Sequence, residues 1–129
     1  EADALDHVLG YTCANDVSAR DWQLRYDKQW ARAKGFDTFC PLGPVIAAGL
    51  APETLRVRTR LDGVLRQDFP ISDMRFTAPE LVSLISRDMT LFPGDLILCG
   101  TSLGVLPRKP GTSVEVVIDG IGRLVNIYG

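Results

Sequence analysis

Apolar and polar positions alternate along this chain with two periods, and the shorter one dominates. Leu55-Arg56-Val57-Arg58-Thr59-Arg60-Leu61 alternates strictly, the pattern of a half-buried strand whose arginines lie on the wet face. Asp62-Gly63 follows, a pair suited to the positive φ angles of a type I′ turn, and Val64 to Phe69 returns as the hairpin partner. A second hairpin is expected from Val114 to Ile118, the turn Asp119-Gly120, and Arg123 to Ile127. Three apolar runs of strand length read as further strands: His7 to Ala14, Pro44 to Ala48, and Leu96 to Cys99, the first and last of them buried. The helical period appears twice. Ser18 and Asp21 form a candidate capping pair for a helix over 19–26. Thr77-Ala78-Pro79-Glu80 opens another, with Leu81, Leu84, Ile85 and Met89 as a core-facing stripe. Residues 27–40 read as a long loop with a helical turn near Trp30. About seven strands against two short helices, with hairpins and no regular βαβ alternation, predict an α+β fold that is mainly β and mainly antiparallel.

Composition narrows the class. At 129 residues the chain fits one domain, 1–129, and its 46% hydrophobic and 23% charged residues are ordinary for a globular protein. A net charge of −2 gives no electrostatic reason to expect nucleic acid or an anionic membrane as a partner. No apolar run approaches the roughly 20 residues that span a bilayer, and no signal peptide opens the chain, so a cytoplasmic protein is expected. Cys13, Cys40 and Cys99 are an odd, dispersed set without a CxxC pair, expected as buried free thiols. A single histidine, His7, argues against Cys-His or Ser-His-Asp catalysis. The chain has no initiating Met and enters a strand-like run almost at once, so an N-terminally incomplete domain is expected.

Three segments carry candidate chemistry. In Asn15-Asp16-Val17-Ser18-Ala19-Arg20-Asp21-Trp22-Gln23, Asp16 stands where a strand hands over to a helix, and Arg20 and Gln23 share one helix face. A carboxylate suits a hard cation such as Mg²⁺, and a guanidinium with an amide suits a carboxylate-bearing ligand. A capped helix start with Arg20 on the surface explains the same residues without any ligand. In the block from Lys34 to Gly43, Lys34 stands among aromatics and turn formers, able to hold an oxyanion or simply to be solvated. In the third, Gly100-Thr101 ends a strand and lets backbone and hydroxyl approach a ligand, or merely forms a glycine turn.

Taken together, GYTCANDVSARDWQ, the Lys-Gly-Phe-Asp-Thr-Phe-Cys-Pro-Leu-Gly-Pro block, Phe-Pro-Gly-Asp-Leu-Ile-Leu-Cys-Gly-Thr, and Asp-Gly-Ile-Gly-Arg-Leu-Val-Asn resemble the fumarylacetoacetate hydrolase family, C-terminal catalytic portion. The blocks follow family order and span nearly the whole chain. Within the family they are most similar to the branch of fumarylpyruvate or acylpyruvate hydrolases, 2-hydroxyhepta-2,4-dienedioate isomerases and oxaloacetate decarboxylases. The resemblance implies a distorted antiparallel β-roll, a small 2-oxo or 1,3-diketo acid as substrate, Mg²⁺ (Mn²⁺ or Ca²⁺ in some members) and a homodimer. It implies Asp16 as metal ligand, Lys34, Gln23 and Arg20 as catalytic or pocket residues, and Thr101 with Gly100 at the substrate's carboxylate end. Two features depart from the family. The Glu-x-Glu metal ligands and the lid His and Glu lie upstream of the equivalent of His7, and no Glu-x-Glu occurs here. The usual Gly-Thr-Pro-x-Gly-Val-Gly reads Gly-Thr-Ser-Leu-Gly-Val-Leu, so Leu106 adds bulk at the pocket rim. A fragment without activity of its own, and a non-enzymatic ligand-binding module, are the competing expectations.

Overall fold

The computed structural model describes residues 3–129. Six strands and two α-helices follow in chain order: β1 (Tyr11–Ala14), α1 (Trp30–Lys34), β2 (Leu42–Ala47), β3 (Arg56–Leu61), β4 (Val64–Pro70), α2 (Ala78–Asp88), β5 (Ser113–Ile118) and β6 (Gly122–Ile127). A π-helical turn at Trp22–Tyr26 precedes α1. All strand pairings are antiparallel, in a two-stranded sheet β1-β2 and a four-stranded sheet of order β4-β3-β5-β6. This is the mainly β, antiparallel α+β architecture that the patterning predicts.

Both hairpins form where expected. Asp62 (φ 49°) and Gly63 (φ 78°) both take positive φ, as a type I′ turn requires. Asp62 also ties the hairpin to β5, its Oδ1 accepting the Ser113 amide at 2.8 Å. The second hairpin pairs Ile118 with Gly122, leaving Asp119, Gly120 and Ile121 in the loop. Inward-facing Val114, Val116 and Ile118 are buried and alternate along β5. Val116, Ile118, Ile121 and Leu124 join Cys13 and Leu55 in the core where the two sheets meet. Each such aliphatic side chain contributes roughly 1.5–3 kcal/mol by leaving water.

Four expectations need correction. The first strand does not begin at His7. Ala4–His7 is a 3₁₀ turn, with the Val8 amide bonded to the Leu5 carbonyl at 3.0 Å, because local turn bonds satisfy this backbone before a ladder can. The stripe on α2 is not a core face: no α2 residue is buried, Leu84 is 39% and Met89 61% exposed, and the helix rests against the 3₁₀ turn and a wide cleft. Its start is as expected, since Thr77 accepts from the Glu80 amide while Glu80 accepts from the Thr77 amide at 2.7 Å. Leu96 to Cys99 is neither a strand nor buried. It has no ladder partner among the described residues, and Leu96 is 45% exposed. Of the cysteines only Cys13 is buried; Cys40 is half-buried and Cys99 exposed.

The arginines of β3 lie on the outer face, as the alternation requires, but they are neutralised rather than merely solvated. Arg56 meets Asp68 at 2.5 Å, Arg58 meets Asp119 through two bonds at 3.0 and 2.9 Å, and Arg60 and Arg123 share Glu115. The bond from Arg56 holds the Asp68 carboxyl below its ordinary pKa, and the bond from Arg58 does the same for Asp119. Groups with depressed folded-state values stabilise the fold above their unfolded pKa, and that contribution is lost as pH falls through the folded value. The thermal midpoint is therefore expected to stay level from pH 7 to about 5 and to fall below about pH 4. Replacing both Asp68 and Asp119 by Asn should shrink that fall, measured by circular dichroism melts across the acid range.

Candidate functional site

Where β1 ends, the chain is pinned on both sides. The buried Asn15 donates its amide to the Pro41 carbonyl at 3.1 Å, and the Ala19 amide bonds the carbonyl of the fully buried Ala33 at 2.9 Å. These two bonds lay the strand exit against α1 and the start of β2. The capping pair expected at Ser18 and Asp21 is not formed: the cap at Asp21 makes no side-chain bond. The first turn is fixed instead by the Gln23 amide bonding the Ala19 carbonyl at 3.1 Å, and the helix widens into a π turn over Trp22–Tyr26, a geometry common at functional sites.

Trp22 anchors this region. The Arg32 guanidinium lies over its ring at 3.9 Å, Tyr26 and Phe36 pack beside it, and Phe36 meets Phe39 edge-on at 5.4 Å between centroids. The stretch read as a long loop with a helical turn near Trp30 forms that turn as a short helix, α1, followed by a turn clamped by aromatics. Lys34 ends α1 and points its ammonium at Asp16, with which it forms an ion pair, each side chain about one-third exposed. Cys40 stands beside the pair. Its thiol pKa is raised by burial and by the Asp16 charge, with Lys34 opposing.

On the neighbouring turn, Arg20 donates to Gln23 Oε1 at 2.5 Å, the (i, i+3) meeting that the spacing predicts. Gln23 is 2% exposed and needs that partner. Gly100 (φ 89°) and Thr101 stand on another wall, where Gln67 Nε2 donates to Thr101 Oγ1 at 2.8 Å and to the Ser102 carbonyl at 3.1 Å. All six residues line one open cleft of about 1870 Å³, as do Leu106 and Cys99. Asp16 and Lys34 are joined directly, as are Arg20 and Gln23. No hydrogen bond among the described residues links Thr101 to either pair.

Two polar residues at the site escape the sequence pattern. Arg108 reaches across 93 positions to donate to Asn15 Oδ1 at 3.3 Å. Gln67 looks like any outward residue of β4, yet it holds the Gly100-Thr101 segment. For Mg²⁺ the residues present do not make a site. Among the described residues no three His, Cys, Asp or Glu side chains cluster, and the carboxylate at the β1 exit, Asp16, is engaged by an ammonium.

Comparison with known proteins agrees with this architecture. A family model described as fumarylacetoacetate hydrolase, C-terminal, matches residues 1–127. An oxaloacetate tautomerase of Bacillus subtilis, YisK, is 46% identical over 137 residues, covering 98% of this chain and 45% of that protein. The crystal structure of a 2-hydroxyhepta-2,4-diene-1,7-dioate isomerase from Mycobacterium marinum superposes with a TM-score of 0.93 at 50% identity, covering 98% of this chain and 50% of that one. A fumarylacetoacetate hydrolase from Exiguobacterium antarcticum gives a TM-score of 0.92 at 39% identity, covering 98% and 48%. The chain spans about half the length of the relatives it matches. Sequence blocks, antiparallel architecture and these matches agree: the chain belongs to the fumarylacetoacetate hydrolase family.

Proposed function

We propose that these residues form part of an enzyme acting on small 2-oxo or 1,3-diketo acids, by hydrolysis or decarboxylation at a carbon-carbon bond or by isomerisation. The observation that carries the reading is the Asp16–Lys34 ion pair beside the Arg20–Gln23 pair at the exit of β1. All these reactions pass through an enolate or a related oxyanion. An ammonium held in place by a carboxylate is pre-positioned to neutralise that charge without reorganising as it develops. Arg20 is oriented by Gln23 to receive a substrate carboxylate, and the Thr101 hydroxyl, which lines the same cleft, offers a further bond. Mg²⁺, expected from the family resemblance, would need further oxygen ligands from outside residues 1–129, with Asp16 offering the carboxylate oxygen that Lys34 leaves free. A homodimer remains part of the proposal, supported by the resemblance alone. No helix among the described residues is long and apolar enough to cross a membrane.

The single carboxylate also favours a second reading for the isolated polypeptide, namely that residues 1–129 alone are inactive. One experiment addresses both. The complete protein and the 129-residue chain are assayed with Mg²⁺ or with EDTA against oxaloacetate, acylpyruvates and fumarylpyruvate. Turnover is expected only in the complete protein and only with the metal, and Asp16→Ala should abolish it. Full activity of Asp16→Ala would remove the site assignment.

A further inference from the structure

The turn from Thr101 to Gly104 is held against β4 at both ends. Strand β4 carries a bulge there: Thr59 pairs with Gln67 and Arg60 with Leu65, so Arg66 is the extra residue. Gly104 (φ 103°) sits on that bulge, where an added Cβ would overlap the Arg66 carbonyl oxygen and lie 3.1 Å from Gln67 Cγ. At the other end Gln67 Nε2 donates to Thr101 Oγ1 at 2.8 Å, to the Ser102 carbonyl at 3.1 Å and to Ser102 Oγ at 3.3 Å. Gln67 and Thr101 both line the cleft.

These contacts fix which way the Gln67 amide faces. A carbonyl oxygen only accepts, so the end turned to Ser102 is the NH₂ group, and the same nitrogen meets Thr101. Ser102 Oγ donates to the Leu103 carbonyl at 3.0 Å, so it too accepts from Gln67. The amide's two hydrogens are therefore shared among three acceptors, one of them the Thr101 hydroxyl oxygen. A hydroxyl has a single hydrogen, and beside an N–H donor that hydrogen turns away. Thr101 is left with an O–H to give to another group.

We propose that Gln67 is a positioning residue for Thr101: its amide directs the hydroxyl hydrogen away from β4 and presents it to a ligand oxygen in the cleft. This wall of the cleft then donates rather than accepts. The assignment deepens the reading of Thr101 given above and rests on it. The competing role for Gln67 is mechanical, holding the turn through Ser102 alone.

A double-mutant cycle in the complete protein separates the two roles, read on oxaloacetate by turnover with Mg²⁺ or, where turnover is slow, by calorimetric binding. Thr101→Val is expected to lower kcat/KM roughly 10- to 100-fold, mainly through KM. Gln67→Met keeps the side chain's length but cannot donate, and should cost roughly 5- to 30-fold in the parent protein. In the Thr101→Val background the same change should cost less than about twofold, because the hydroxyl it directs is gone. If Gln67→Met does not fold, Gln67→Glu carries the same cycle, and the Thr101→Val background isolates the effect of its charge. Equal losses from the Gln67 change in both backgrounds would overturn the proposal in favour of the mechanical role. Full activity of Gln67→Met in the parent would overturn it as well. Unchanged kinetics and binding in Thr101→Val would sink the reading of Thr101 itself, and the proposal with it.

Discussion

Lys34→Ala in the complete protein is expected to lower kcat about 100- to 1000-fold, with KM changed only a few-fold. The ammonium sits at the end of a helix too short to be stable alone, and its position comes from three local devices. The aromatic clamp around Trp22 holds α1, the Ala19–Ala33 bond ties α1 to the strand exit, and Asp16 fixes the ammonium's direction. A charge held this way interacts more strongly with a developing oxyanion than with the neutral carbonyl that precedes it, so its loss falls on kcat rather than on ground-state binding. Lys34→Arg tests the geometry, because it keeps the charge but spreads it over a larger, planar group that does not fit the Asp16 contact in the same way. Partial recovery in Lys34→Arg and almost none in Lys34→Met would agree with electrostatic stabilisation. A rise in KM alone for Lys34→Ala, with kcat unchanged, would reassign Lys34 to binding.

How much of this was readable in the sequence follows from the range of the forces involved. Alternation within β3 and β5 and the Asp62-Gly63 turn are local signals, and the hairpins built from them form as expected. The Arg20–Gln23 meeting is local as well, and helical spacing is enough to predict it. The Asp16–Lys34 pair joins positions 18 apart, and only the family resemblance put both in one site. Arg108 and Gln67 were out of reach, because their partners lie 93 and 34 positions away and neither stands in a pattern that marks it. The failures share one cause. Leu96 to Cys99 and the α2 stripe are apolar, and apolarity states that a residue favours burial without naming what covers it. Within residues 3–129 Leu96 to Cys99 face the open cleft, as do Leu81 and Met89 of the stripe, while Leu84 and Ile85 do not line it.

Gly122→Ala is expected to cost about 3 kcal/mol, because two independent penalties fall on one methyl group. Gly122 opens β6 with φ at 135°, a backbone setting that an L side chain tolerates poorly. A Cβ built there would also lie 2.8 Å from Pro44 Cγ, well inside contact distance. Pro44 belongs to β2 and Gly122 to β6, so the overlap falls on the seam between the two sheets, where Cys13 Sγ also approaches the Gly122 carbonyl at 3.6 Å. Gly111→Ala separates the two penalties: its φ of 87° is also positive, but nothing lies within 4 Å of the added methyl. That variant should lose only the backbone part, about 1 kcal/mol. Urea unfolding midpoints at unchanged m-value give both numbers. The excess loss in Gly122→Ala measures how firmly β2 is seated. Since β2 begins just after the Pro41 carbonyl that holds Asn15, a displaced β2 also moves the strand exit carrying Asp16. Gly122→Ala should therefore lose activity beyond what its unfolded fraction explains, whereas Gly111→Ala should not. Equal destabilisation in the two variants would mean that the seam gives way to the added methyl, and that the sheets do not hold the site by close packing.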